Sequence, residues 1–368
     1  MRDAEPSLRE RGALLRAALE NLVGETPLRF MEVCGTHTMA LYRTGLRALL
    51  PRKLELASGP GCPVCVTPQE DLDQAIALAS RPEVTLATFG DLVRVPGSEG
   101  SLAQARAGGA DVRVVTGASE ALDLARHLPQ RRVVFLAVGF ETTAPGTAAV
   151  LEEARGEDVP NFLVLNLHKT VPPALEALAA APDIALDGFL LPGHVCSVLG
   201  VEPFRFLPRT HGLACCAAGF EAEDLLLALV DLARQVRGGH REVTSAYPRG
   251  VRPGGNPRAR ALLERVFRPC DASWRGLGVL PRSGLALRDP FRRFDARESL
   301  ELPLPAPAPP NGCRCGDVLA GRLAPRGCPL FGGTCTPRTP QGPCMVSSEG
   351  SCAAAYRYGG KEVTTWNV

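Results

Sequence analysis

From about residue 28 to about residue 235, short apolar runs alternate with stretches of ten or more residues that suit helices. The strand candidates are Leu28 to Val33, Lys53 to Ala57, Val84 to Phe89, Val112 to Val115, Val133 to Val138, Phe162 to Asn166 and Asp187 to Leu191. They are apolar on both faces, as strands covered by helices on each side must be, which favours open parallel sheets over an alternating antiparallel sandwich. Strand followed by helix, repeated, predicts an α/β fold. At 368 residues the chain is long enough for two or three domains of roughly 100 to 150 residues each. One seven-stranded sheet would satisfy the pattern, but length and the grouping of motifs favour two open parallel-sheet α/β domains around residues 25–130 and 131–238. Beyond residue 240 Pro, Gly and Arg dominate with little periodicity, and Leu302 to Pro310 reads as a Pro/Ala linker. Residues 1–24 and 239–368 are therefore expected to form a third unit. No repeat of 20 to 50 residues is present.

Charge removes two classes of function. The formal net charge is +2, and no run of Lys or Arg alternates with aromatics, so the footprint of nucleic-acid binding is missing. The first residues, Met1-Arg2-Asp3-Ala4-Glu5-Pro6, are charged, and no apolar run approaches the roughly 20 residues that a bilayer demands. A cytoplasmic protein outside the membrane is expected. Thirteen cysteines in such a protein read as metal ligands or redox groups rather than a structural disulfide framework.

The cysteines and other reactive side chains fall at the ends of the strand candidates. Cys34-Gly35-Thr36-His37-Thr38 follows the first, Cys62-Pro63-Val64-Cys65 the second, Gly139-Phe140-Glu141-Thr142-Thr143 the fifth and Pro192-Gly193-His194-Val195 the seventh. In open α/β sheets the carboxyl edge at a crevice is where ligands bind. Each motif also has a plain structural reading: turns and caps, a Glu bonded to backbone, a His satisfied by a carbonyl. Their shared edge favours function. For the Cys62/Cys65 pair, Thr67 can act as N-cap, Pro68 as first helical residue and Glu70 as partner in a capping box, leaving both sulfurs just outside a helix N-terminus. That position and the two-residue spacing favour thiolate and disulfide chemistry. Cys34 has no cysteine nearby; it is either a small buried hydrophobe or an accessible sulfur with His37 able to accept its proton. A soft thiolate suits iron or copper better than magnesium or calcium. A Cys/His protease or acyltransferase would leave the other cysteines unexplained.

Six cysteines crowd the C-terminal segment: Cys313, Cys315, Cys328, Cys335, Cys344 and Cys352. Structural zinc competes, but zinc ribbons present Cys-x2-Cys hooks and the segment has none. Dispersed cysteines among Gly and Pro fit an iron–sulfur cluster held by four thiolates, with two to spare. Composition does not select the four. Cys196, Cys215, Cys216 and Cys270 lack ligand spacing and read as structural.

Taken together, Cys-Gly-Thr-His-Thr at 34–38, Gly-Pro-Gly-Cys-Pro-Val-Cys at 59–65, Gly-Phe-Glu-Thr-Thr at 139–143, Pro-Gly-His-Val at 192–195 and Gly-Pro-Cys-Met-Val-Ser-Ser-Glu-Gly at 342–350 resemble the HypD family of hydrogenase maturation factors. The resemblance runs over nearly the whole chain, with uncommon words in the same order. It implies two α/β domains around a cleft, a third domain with a [4Fe-4S] cluster, and work with a HypC-type chaperone as the scaffold on which the Fe(CN)2CO unit of [NiFe]-hydrogenase is assembled. It implies that Cys34 holds the iron together with a cysteine of HypC, with His37 as neighbour and Glu141 and His194 in the same site, and that Cys62 and Cys65 are the redox pair. The cluster ligands implied are Cys313, Cys328, Cys335 and Cys352, whose fourteen, six and sixteen intervening residues match the family spacing. Cyanide is expected from HypE, which HypF modifies. The runner-up is a cluster-linked thiol-disulfide oxidoreductase acting on other proteins, and a zinc-stabilised binding module comes third.

Overall fold

The computed structural model describes residues 7–303 and 311–360. Eleven strands occur among them: β1 Leu28–Glu32, β2 Leu54–Ser58, β3 Val84–Thr88, β4 Asp111–Val114, β5 Arg132–Ala137, β6 Phe162–Asn166, β7 Gly188–Pro192, β8 Ala214–Ala218, β9 Val243–Ser245, β10 Phe267–Trp274 and β11 Gly278–Leu287. All seven expected strands are present within about one residue of their expected ends. The α/β class is as read from the sequence: β2-β1-β7-β8-β9 form one parallel sheet, β4-β3-β5-β6 form a second, and β10-β11 make an antiparallel hairpin. The strands β3, β7 and β8 are buried along their whole length, as strands covered by helices on both faces are.

The domain boundaries differ from those expected. The chain starts in the first sheet, builds the whole second sheet from β3 to β6, and returns to the first at β7. A break near residue 130 falls inside the second sheet, where β5 pairs with β3 from Val84↔Arg132 to Ala87↔Phe135. The βα rhythm is the same in both sheets, so periodicity alone carries no mark of the two crossings. The expected third unit also dissolves in part. The helix Leu8–Val23 packs on the helix Ala222–Gly238, where Leu19 and Val23 share a core with Leu225, Leu226 and Leu229. Each such leucine contributes about 1.5–3 kcal/mol by leaving water, enough to bind the N-terminal helix to the first sheet. Residues 243–245 add β9 to that sheet, while the β10-β11 hairpin bonds the second through Thr170 N to Ser283 O at 2.9 Å. Residues 304–310 of the expected linker lie outside the described residues.

The strand β8 escaped the sequence reading because Ala-Cys-Cys-Ala-Ala has no β-branched residue. Its neighbour β7 needs glycine at 188, since a Cβ there would overlap the Ala214 carbonyl. No helix among the described residues is long and apolar enough to cross a membrane.

Candidate functional site

Every motif singled out at a strand end does lie at the carboxyl edge of a parallel strand. Cys34 follows β1 and is the N-cap of the helix Gly35–Arg43; Cys62 follows β2 and is the N-cap of the short helix Pro63–Val66. The two loops touch through backbone. Gly35 N donates to Gly61 O at 3.0 Å, and a Cβ on Gly61 would overlap the Cys34 amide nitrogen, so only glycine allows this approach. Cys62 and Cys65 form a disulfide with Cα atoms 5.2 Å apart, and the Cys65 amide donates to Cys62 Sγ at 3.2 Å.

The expected capping box is absent. Pro-Val-Cys-Val forms its own helical turn, so Cys65 lies within a helix rather than ahead of one. The Thr67 hydroxyl donates to Pro63 O at 2.8 Å, Pro68 takes the N-cap position of the helix Gln69–Ala79, and Glu70 accepts from Ser273 Oγ at 3.3 Å.

Cys34 is buried rather than accessible, with 7% of its surface exposed. Burial pushes its thiol up to about 12 and Glu349 adds to the shift, against the amides of His37 and Thr36 and the Thr36 hydroxyl, which pull it down. Without a cation Cys34 is therefore a neutral thiol, and a metal that binds it displaces its proton. The expected His37 partnership takes another form: the His37 amide faces the sulfur, while the ring turns away. Its Nε2 donates to Ala218 O at 3.3 Å, and its Nδ1 is buried with no partner. Burial lowers its pKa to about 4, leaving a neutral imidazole with one free acceptor. Phe220 joins it to His194, with ring centroids 5.0 Å from His37 and 3.8 Å from His194. His194 itself is exposed.

Glu141 sits across from these residues, at the edge of the second sheet. Its Oε1 accepts from Val171 N at 2.9 Å, while Oε2 is buried and unpartnered. Cys196, on the helix Gly193–Leu199, lies within electrostatic reach of both Glu141 and Cys34. Burial raises the Glu141 carboxyl to about 7. An unfolded Glu titrates near 4.3, so folding takes up a proton between the two values. The stability due to this proton is complete below about pH 4 and is lost as pH rises through about 7. Glu141→Gln cannot ionise, so its melting temperature is expected to exceed the parent's above pH 7, with the gap closing toward pH 5. A variant less stable than the parent at pH 8 would mean the carboxylate has a cationic partner.

Several site residues carried no sequence signal of their own. Glu32, the last residue of β1, is fully buried; it accepts from the Thr38 hydroxyl at 2.6 Å and the Cys34 amide at 3.3 Å, and burial raises it to about 7. Asp91, beyond β3, accepts from Ser348 N at 2.8 Å, Ser348 Oγ at 2.7 Å and Ser347 Oγ at 3.1 Å. The Ser347 hydroxyl is in turn 3.4 Å from Cys62 Sγ, so the second sheet, the C-terminal segment and the disulfide meet at one serine. Thr36 Oγ1 donates to Glu349 at 2.7 Å. The motif Ser347-Ser348-Glu349 was visible in sequence, but its contacts were not.

The six C-terminal cysteines gather beneath the disulfide, the helices Cys315–Leu319 and Pro343–Val346 packing on Pro63–Val66. Among the described residues no three His, Cys, Asp or Glu side chains close on one metal position. The sulfurs pair instead: Cys315 and Cys344 Sγ are 2.9 Å apart, Cys313 neighbours Cys315, and Cys352 neighbours Cys344. The Cys313 and Cys344 thiols stabilise negative charge on Cys315 and depress its pKa, while Cys344 is raised by Cys315 and Cys352. Cys328 and Cys335 share one tight loop, with Cys335 N bonded to Leu330 O at 2.8 Å, and Cys335 senses both Cys328 and Cys352. A Cβ at Gly342 would overlap Cys313 Sγ, and the Gln341 amide donates to Cys335 Sγ at 3.4 Å. A glycine cradle and N–H donors directed at sulfur suit a group held by thiolates. Sequence spacing had left Cys315 and Cys344 without a role; the tertiary structure places them between the implied ligands and the disulfide.

The chain matches the sequence profile of the HypD family, described as "Hydrogenase formation hypA family", over residues 12–359. It is 46% identical over 351 residues to hydrogenase maturation factor HypD of Escherichia coli, covering 93% of this chain and 92% of that protein. Against hydrogenase maturation factor HypD of Azotobacter vinelandii it is 47% identical over 338 residues, 90% and 89% of the two chains. A putative hydrogenase expression/formation protein of Methanocaldococcus jannaschii is 41% identical over 350 residues, 94% and 97% of the two chains. With the profile spanning both sheets and the cysteine-rich segment, and with identity at this level in bacteria and an archaeon, the chain belongs to the HypD family.

Proposed function

We propose that this protein is a [NiFe]-hydrogenase maturation factor that, with a HypC-type chaperone, holds the iron atom on which the Fe(CN)2CO unit is assembled. The observation that carries this reading is the backbone contact between the Cys34 loop and the Cys62–Cys65 loop, which sets a soft ligand beside a two-electron redox group. The iron unit is the cargo. Cys34 gives up its proton on binding it, and burial of the sulfur keeps water from competing for the metal. The free Nδ1 of His37 is left to accept a hydrogen bond from a donor on the chaperone, and Glu141 holds a proton near neutral pH on the facing edge. HypE, with HypF upstream, is the expected source of cyanide, and the cytoplasm the expected compartment.

Cys313, Cys328, Cys335 and Cys352 would hold a [4Fe-4S] cluster, which when bound supplies one-electron transfer. Reducing Cys62–Cys65 takes two electrons and two protons, and oxidation of the dithiol returns them. Cys315 and Cys344, packed between the two regions, offer a second pair of sulfurs for stepwise transfer. The same pair would serve a thiol-disulfide oxidoreductase acting on other proteins. Infrared spectroscopy of the anaerobically isolated complex with the chaperone separates the two: cyanide and carbonyl bands support the scaffold, and their absence in fully matured preparations favours the oxidoreductase. The redox role has its own test. All four of Cys62, Cys65, Cys215 and Cys216 are buried, so alkylation is done on denatured protein: Cys62 and Cys65 are expected to stay unlabelled before mild reduction and to label together after it, while free Cys215 and Cys216 label in both. Labelling of Cys62 and Cys65 before reduction removes the disulfide step.

A further inference from the structure

A cavity of about 230 Å³ is lined by Leu41, Tyr42, Arg47, Arg326 and Tyr358 among others and by none of the cysteines, and no carboxylate lines it among the described residues. Tyr42 is on the helix that begins at Cys34, and Tyr358 ends the helix that carries Cys352, so the cavity spans the seam between the Cys34 region and the cysteine-rich segment. Arg47 is pre-set rather than spent. Its guanidinium lies 5.1 Å over the Tyr42 ring and Nη2 donates to Leu56 O at 2.5 Å, but Nη1 is buried with no partner. Buried guanidinium N–H groups are ordinarily paired, so one left open beside a cavity marks a missing acceptor. Arg326 rests 6.0 Å over Phe331 and makes no ion pair among the described residues.

Both helices end near this cavity, and helix C-termini carry partial negative charge, so cations there have an ordinary explanation. It does not account for both cations here. Three of the terminal carbonyls are already bonded, Ala40 O by Thr44 N and Oγ1, Tyr42 O by Gly45 N, and Ala355 O by Gly359 N. Two helix ends supply about −0.5 charge each, against two full guanidinium charges, leaving a net positive cavity.

We propose that this cavity binds a phosphoryl group, as orthophosphate or as the monoester of a small aromatic molecule. Arg47 and Arg326 supply forked donors and Tyr42 and Tyr358 supply hydroxyls, a donor set that matches a tetrahedral dianion better than a planar carboxylate. The tyrosine rings offer an apolar flank for an ester substituent. Bound there, the anion would tie the Cys352 helix to the Cys34 helix.

Isothermal titration of the full chain at low ionic strength, with inorganic phosphate and separately with phenyl phosphate, tests this. Saturable binding is expected, weakened at least about tenfold by Arg326→Gln and less by Tyr358→Phe, with circular dichroism unchanged. Tighter binding of phenyl phosphate identifies an ester site, and equal binding an orthophosphate site. The proposal is overturned by no saturable binding, by binding indifferent to Arg326→Gln, or by acetate binding as well as phosphate.

Discussion

Cys34→Ser is expected to yield a folded protein that keeps its C-terminal cluster, while its complex with the HypC-type chaperone lacks the cyanide and carbonyl infrared bands and hydrogenase maturation fails. Serine is nearly isosteric, and if the buried hydroxyl finds no acceptor the cost is about 1–3 kcal/mol, within the range most domains tolerate. Chemistry rather than folding is what the substitution removes, since a hard oxygen is a poor match for low-spin iron. Chaperone binding can survive. The structure sharpens the test, because the parent thiol is itself neutral near pH 7: burial holds it at about 12, so iron loading should release a proton that the serine variant does not. Normal infrared bands and normal maturation in Cys34→Ser would leave Cys34 a packed core residue and remove the central claim.

Replacing Cys313, Cys328, Cys335 or Cys352 singly by Ala is expected to lose most of the iron and sulfide and the brown chromophore of anaerobic protein, because a four-thiolate site seldom survives loss of one ligand. The C-terminal segment should become more susceptible to protease at the same time. Cys344→Ala is the discriminating control. Cys344 touches both Cys315 and Cys352, so proximity alone does not separate ligand from bystander. The proposed set predicts that Cys344→Ala keeps its iron while Cys62–Cys65 becomes slower to reduce. Iron lost with Cys344 and kept without Cys352 would reassign the ligands.

These expectations draw on both levels of description, and the division between them is physical. Strand identity was legible because a parallel strand covered on both sides is largely apolar, as the cores of β5, β6 and β7 are; the site loops were legible because ligand-binding residues of such sheets collect at strand carboxyl ends. The assignment to the HypD family was likewise carried by words such as Gly-Pro-Gly-Cys-Pro-Val-Cys, in which Gly61 is dictated by contact with the Cys34 amide. Three things were decided only in three dimensions. The chain leaves the first sheet after β2 and returns at β7, which the local rhythm does not encode because both sheets use the same period. Cys34 is buried and protonated, because closure of Glu349 and its neighbours over the loop after β1 sets the dielectric around the sulfur, and spacing carries no dielectric. Lastly, Asp91, Ser347 and the Cys315/Cys344 pair acquire their places through contacts spanning 29 to 285 positions of sequence, where the short-range periods of helix and strand say nothing.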